Sequence, residues 1–231
     1  MVRRVPTDRI ERLIECATEV FIDQGYRRTQ MSDIASALGV AKGTLYLYVG
    51  SKEALFDLVA RYADDLRALP KPVKLPVATP RPGATVRYVR ERLSRNQVPE
   101  TLVAALGARR VGDAGAELEA IAGELFDTLA ANRRGIKLLD RSARDLPELA
   151  ALWFQGARGG LIQALQKYLD DRVRRGLLRA FPDTAVAARI AIETLVFWAV
   201  HRHWDPQPQI VEEAAVRDTV IKFIVTSFVN R

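Results

Sequence analysis

Residues 29–55 read Thr29-Gln30-Met31-Ser32-Asp33-Ile34-Ala35-Ser36-Ala37-Leu38-Gly39-Val40-Ala41-Lys42-Gly43-Thr44-Leu45-Tyr46-Leu47-Tyr48-Val49-Gly50-Ser51-Lys52-Glu53-Ala54-Leu55, and this stretch decides the fold. Ile34, Ala35 and Leu38 recur at helical spacing after Thr29, and Gly39 ends the run because glycine accepts the left-handed conformation in which helices stop. After the tight Gly39-Val40 turn a third short helix is expected over 42–48. Leu45 faces inward in that reading, and Lys42, Thr44, Tyr46 and Tyr48 face outward. Gly50-Ser51 breaks this helix, and Ser51 caps a fourth one that runs through Leu55, Phe56, Val59 and Tyr62 to about Leu69. Upstream, Leu13, Ile14, Ala17, Val20 and Phe21 form one face of a first helix that Gly25 terminates.

Two short helices joined by a tight turn, braced by a helix on either side, are a helix-turn-helix candidate. A helix that enters the major groove must be narrow, carry polar tips outward and be held at a fixed angle by its neighbours. Residues 42–48 meet that requirement. Gly43 lowers helix stability but lets the backbone come close to DNA. Thr29 can offer a hydroxyl and free N–H groups to a phosphate, and Lys52 is placed to meet another. On spacing alone, a small helical cluster with two surface tyrosines shows the same pattern.

The rest of the chain narrows the class. Its 231 residues, 48% hydrophobic and 27% charged, suit one large domain or a small domain joined to a larger one and argue against disorder. Lys+Arg 35 against Asp+Glu 28 leaves a net charge of +7, a balance that favours polyanions without establishing one. Cys16 is the single cysteine, so no intramolecular disulfide is available and a reducing, cytoplasmic setting fits. Arg3 and Arg4 precede charged residues rather than an apolar run, so no signal peptide is expected. Residues 185–200, the most apolar later stretch, are interrupted by Arg189 and Glu193 and are too short to span a bilayer. No basic helix with a large apolar face points to a membrane surface.

Pro70, Pro72, Pro76, Pro80 and Pro82 exclude a continuous helix over 70–82 and mark an extended connector. The expected organisation is a head over 1–69, the connector over 70–82 and a larger domain over 83–231. Helical patterns resume beyond Gly83, broken near Pro99, 112–115, Pro147, Gly176 and 205–208. Period-two alternation is nearly absent, so the fold class is all-α.

The run Phe21-Ile22-Asp23-Gln24-Gly25-Tyr26, then Thr29, Met31, Asp33-Ile34-Ala35, Gly39-Val40, Lys42-Gly43-Thr44-Leu45-Tyr46, Tyr48 and Ser51-Lys52-Glu53-Ala54-Leu55 resembles the DNA-binding domain of the TetR family of transcriptional regulators. The resemblance is dense over about residues 8–60. It implies that Thr44, Tyr46, Tyr48 and Lys52 contact DNA, mostly at phosphates, and that Lys42-Gly43 approaches base edges. With Thr29 these form the expected DNA-binding set. Tyr48 stands where the family often has histidine, and Val49 where it often has phenylalanine. Arg3 and Arg4 are either a minor-groove arm or a solvated tail.

The same resemblance implies a dimer built from two C-terminal helices, here 183–200 and about 210–229. Ile190, Leu195, Val196 and Phe197 on one, with Val220, Ile221, Ile224, Val225 and Phe228 on the other, supply the apolar surface. The other reading is that these faces close the core of a single subunit. The family also implies an effector cavity, for which Tyr88, Phe126, Trp153, Phe154, Trp198 and His201 are the candidates, with Arg87, Arg90 and Arg158 available for an anionic group. For each, core packing of the aromatic or solvation of the arginine is the stronger reading. His201 and His203 lie two apart on different faces with no cysteine or carboxylate cluster nearby, so neither a metal nor a cofactor is expected. No GxxxxGK[ST] or HExxH motif is present and an enzyme is not expected. The expected function is therefore an effector-released, homodimeric repressor of a palindromic double-stranded operator. The alternative is a helix-turn-helix protein controlled by a partner.

Overall fold

The computed structural model describes residues 7–95 and 98–229, and Arg3 and Arg4 lie outside them. Twelve α-helices are found among these residues and no strand: α1 Thr7–Gln24, α2 Met31–Leu38, α3 Lys42–Leu45, α4 Lys52–Tyr62, α5 Ala84–Arg95, α6 Glu100–Gly107, α7 Ala114–Ala131, α8 Arg133–Ser142, α9 Pro147–Ala150, α10 Gly159–Arg174, α11 Thr184–Ala199 and α12 Glu213–Phe228. Between α9 and α10 the chain stays helical but widens to π geometry over Ala151–Arg158. No helix among the described residues is long and apolar enough to cross a membrane.

The all-α expectation holds, and each break that a proline or glycine marked is present. Pro99 precedes α6, Pro147 opens α9, and Gly176 sits at φ 73 after α10. Two helices are shorter than their apolar pattern suggested. The fourth stops at Tyr62, because Asp65 caps a separate 3-10 turn over Leu66–Ala68 and Asp64 is drawn into other bonds. The third is α-helical only over Lys42–Leu45, and tighter bonds from Leu47 N to Thr44 O and Tyr48 N to Leu45 O complete it.

The chain forms two compact units interleaved in sequence: Met1–Arg92 with Arg134–Trp153, and Leu93–Arg133 with Phe154–Arg231. In the first, Ile10, Leu13, Ile14, Ala17 and Phe21 of α1 close on Ile34 of α2, Leu45 of α3 and Leu55 and Val59 of α4, all buried. Residues 134–153 join this unit through polar ties to backbone. The Asp145 carboxylate accepts from Arg27 N at 2.9 Å, Arg141 donates to Asp23 O at 2.8 Å, and Asp64 accepts from Gly135 N at 2.9 Å and from Arg92 at 2.8 Å.

The second unit is a bundle of α6, α7, α10, α11 and α12. Its core is Leu118, Ile121, Leu125, Leu165, Leu169, Ile192, Leu195, Val220 and Ile224. Arg172, 1% exposed, crosses this apolar interior: it pairs with Glu117 at 2.8 Å, donates to Ala105 O at 2.7 Å and lies over the Tyr168 ring. One cation thereby fixes α10 against both α6 and α7.

Candidate nucleic-acid interface

The site rests on two turns that backbone geometry dictates. Gly25 ends α1 at φ 82, a conformation that favours glycine, and a methyl built on it would stand 2.9 Å from the Asp145 carboxylate and displace it. Gly39 ends α2 at φ 72, with its N–H and that of Val40 returned to the carbonyls of Ser36 and Ala35. The first turn sets the angle between α1 and α2, and the second that between α2 and α3.

The recognition segment is then anchored from beneath. Leu45 and Val49 are wholly buried, and Tyr48 is only 8% exposed. The outward placement expected for Tyr48 is corrected, since the tight turn after Leu45 stacks residue 48 over residue 45 on the inward side. Leu47 takes the outer position instead, at 66%, beside Tyr46 at 42%. Lys42 and Gly43 are exposed and Thr44 is half-buried. The outward face of this segment is therefore Lys42, Gly43, Tyr46 and Leu47.

Thr29 and Lys52 are placed differently from what spacing suggested. Thr29 is buried, and its hydroxyl donates to Gly25 O at 2.7 Å, closing the α1–α2 turn. The Lys52 ammonium donates to the carbonyls of Tyr26, Arg27 and Thr29 at 3.0, 3.4 and 3.0 Å. It also lies over the Tyr26 ring, 4.6 Å from its centre. Tyr26 was not singled out by spacing, yet it organises this corner. It packs on Phe21 and Phe56, its hydroxyl donates to Glu53, and burial with the Glu53 carboxylate pushes its pKa up to about 12. Glu53 is held below the usual carboxylate range, first by its own backbone N–H at the start of α4. An aromatic directly after the helix-ending Gly25 was the available sequence signal.

The six effector candidates are divided between the two units. Tyr88 and Trp153 belong to the first unit, Phe126, Phe154, Trp198 and His201 to the second. Tyr88 stacks under Arg61 and donates to its carbonyl, and the Trp153 indole N–H reaches Asp140 at 3.4 Å. Phe126 is core, at 1% exposure, and Phe154, Trp198 and His201 are half-buried. Arg158 pairs with Glu193, while Arg87 and Arg90 are exposed. A void in the second unit is lined by Leu118, Leu125, Leu165, Leu195 and Ile224 among others, and none of the six lines it. Its volume of about 10 Å³ is room for one water-sized molecule. Among the described residues no cluster of His, Cys, Asp or Glu could hold a metal ion.

The two C-terminal helices divide their apolar residues between inside and outside. Leu195, Val220, Ile221, Ile224 and Phe228 close the core of the unit itself, which corrects their assignment to an outer surface. Val186, Ile190, Phe197 and Phe223 remain exposed at 54, 59, 42 and 61%.

Comparison with known proteins addresses mainly the head. Residues 13–59 match the family of bacterial regulatory proteins, tetR family. The transcriptional repressor KstR2 of Rhodococcus jostii (strain RHA1) is 40% identical over 55 residues, covering 23% of this chain and 27% of that protein. The transcriptional activator FasR of Mycolicibacterium smegmatis is 40% identical over 65 residues, covering 27% and 30%. The chain thus matches about a quarter of the length of such relatives. Over nearly the whole length the fold is shared with KstR2 of Mycobacterium tuberculosis, at TM-score 0.56, 15% identity and coverage of 98% and 97%. It is also shared with AibR, solved with isovaleryl coenzyme A and operator DNA, at TM-score 0.51, 18% identity and coverage of 93% and 97%. Over residues 13–59, then, the head of this chain is similar to bacterial regulatory proteins of the tetR family.

Proposed function

We propose that this chain is a homodimeric, effector-released transcriptional repressor that binds a palindromic operator through its helix-turn-helix. The observation that carries the reading is the recognition segment, whose exposed Lys42, Gly43 and Tyr46 ride on the fully buried Leu45 and Val49. Lys42 and Gly43 meet base edges, Thr44 and Tyr46 meet phosphates, and Tyr48 and Lys52 border the same backbone. Thr29 holds the preceding turn. The exposed Val186, Ile190, Phe197 and Phe223 join two copies, placing recognition segments about 34–36 Å apart in successive major grooves. In functional terms 1–69 is the DNA-binding head, 70–82 the connector and 83–231 the effector and dimer domain of a cytoplasmic regulator without enzymatic activity.

A shared fold with a regulator solved with isovaleryl coenzyme A supports a small-molecule effector. The effector lodges near Phe126, Phe154, Trp198 and His201 and needs to favour the released state by only a few kcal/mol. The alternative reading is control by a protein partner, and the void beside Leu118 and Ile224, room for one water-sized molecule, offers no effector site of its own. A thermal-shift screen separates the two, since an effector raises the midpoint by binding the folded chain. The DNA reading is tested by selecting duplexes from a random-sequence pool and titrating them by fluorescence anisotropy. Tyr46→Ala is expected to weaken the selected duplex about tenfold or more with the thermal midpoint unchanged, one hydrogen bond being lost in each protomer. Unchanged affinity would displace the recognition face from this segment.

A further inference from the structure

The residues between the head and α5 do not leave the helix-turn-helix behind. They double back onto it. Gly50 N donates to Val77 O at 2.9 Å and Val77 N donates to Tyr48 O at 2.8 Å, a parallel bridge between Val49 and Val77. The Thr79 hydroxyl donates to the Ser51 hydroxyl at 2.9 Å, on the same oxygen that accepts Ala54 N and caps α4. A methyl built on Gly50 would stand 3.4 Å from the Val77 carbonyl, so the two segments touch. Lys71 is tied to Glu11 of α1 at 3.2 Å. The segment is thus a strap sewn to the loop through which the recognition segment passes into α4.

Prolines occupy five of the 13 positions in 70–82. They remove N–H groups and fix φ, so the strap stays extended and loses little entropy on being pinned by a few bonds. Its charge is one-sided. No carboxylate lies between Asp65 and Glu91, whereas Arg67, Lys71, Lys74, Arg81, Arg87 and Arg90 all do. Arg67 is taken by Asp65 and Lys71 by Glu11. Lys74 and Arg81 are exposed and form no ion pair with the described residues. They stand three and four residues from Val77, at most about 11 and 14 Å along an extended chain. That reach is comparable to the screening length of roughly 8–10 Å at ordinary salt, so both cations act on whatever polyanion the neighbouring segment meets.

We propose that the strap is a second DNA-binding element, in which Lys74 and Arg81 hold the phosphate backbone beside the groove that receives Lys42–Leu45. The inference rests on the DNA-binding reading above. Phosphate contacts position a protein without reading sequence, so the strap adds affinity and register but no base preference.

The test uses the full chain and a duplex that the wild type selects from a random-sequence pool. Wild type and K74Q/R81Q are titrated against that duplex and an unrelated one over a series of salt concentrations. The double variant is expected to lower the slope of log affinity against log salt by about 2 for each bound protomer, and to weaken both duplexes by the same factor. Unchanged slope with the selected duplex still bound overturns the strap proposal and leaves the DNA reading standing. A loss confined to the selected duplex at unchanged slope also overturns it, because the strap would then act only on the shape of the recognition loop. If the wild type selects no duplex, both proposals fall. Should K74Q/R81Q lower the thermal midpoint, the charge-conserving K74R/R81K decides: a wild-type slope supports the strap, and a reduced slope overturns it.

Discussion

The head formed by α1–α4 and the bundle formed by α6, α7 and α10–α12 solve the same problem, packing short helices, by different means. In the head the geometry is set by backbone atoms: Gly25 and Gly39 at positive φ, Thr29 and Lys52 bonded to carbonyls, Ser51 capping α4. The bundle instead relies on aliphatic side chains, pinned at one place by a buried cation. Backbone-dictated turns tolerate few residues and leave a signature in sequence. Aliphatic packing tolerates many, so it records the presence of a core but not its layout.

The comparison is broken most sharply in the bundle. Arg172→Met removes a 1% exposed guanidinium and leaves Glu117 and Ala105 O without their partner. A loss of about 3 kcal/mol is expected, read from urea unfolding of wild type and variant. A loss below about 1 kcal/mol would show that aliphatic contacts alone define the bundle. In the head the corresponding change is Gly25→Ala, which forces a Cβ into the left-handed region and against Asp145. About 2 kcal/mol is expected, accompanied by weakened DNA binding as the α1–α2 turn shifts. Normal stability would mean that the turn relaxes freely, and that the backbone does not set the head.

The smallest effect sharpens the view of the bundle's polar edge. Arg133 lies 2.7 Å from the His203 ring, and Arg202 and Glu213 face it too. Burial first, then the Arg133 and Arg202 cations, lower its pKa from the ordinary 6.5. The unfolded chain therefore takes up a proton that the folded chain resists. Stability is expected to fall as pH drops through 6.5 toward the lower folded value and to be flat above it. His203→Gln should remove that part of the slope in urea midpoints compared between about pH 8 and about pH 5.5. The same slope in the variant would assign the acid response to other groups.

Most of the head was legible from residues 7–62, because Gly25, Gly39 and Ser51 each stand where only a few residue types satisfy the backbone. The helix breaks at Pro99, Pro147 and Gly176 were legible for the same reason. Within the site, the inward turn of Leu45 followed from its spacing. The inward turn of Tyr48 did not, since it depends on the α3 helix tightening after four residues. Thr29 and Lys52 read as groups open to a phosphate, and the structure spends both on carbonyls of the α1–α2 turn. Those acceptors are 4 and 23–26 residues away along the chain, and the distant ones are brought near only by packing.

By itself, then, the sequence determined what is local: the all-α class, the helix stops, the helix-turn-helix and the extended course of a proline-rich, carboxylate-free segment. Tertiary structure alone decided what depends on distant partners. It turned Leu195 and Phe228 inward while leaving Ile190 and Phe223 outside. It brought Asp145 to the turn at Gly25, and laid Val77 along Tyr48 and Gly50. The physical reason is that helix stops and caps are settled within a few residues, whereas burial and long-range hydrogen bonds are settled only when separate segments compete for the same surface.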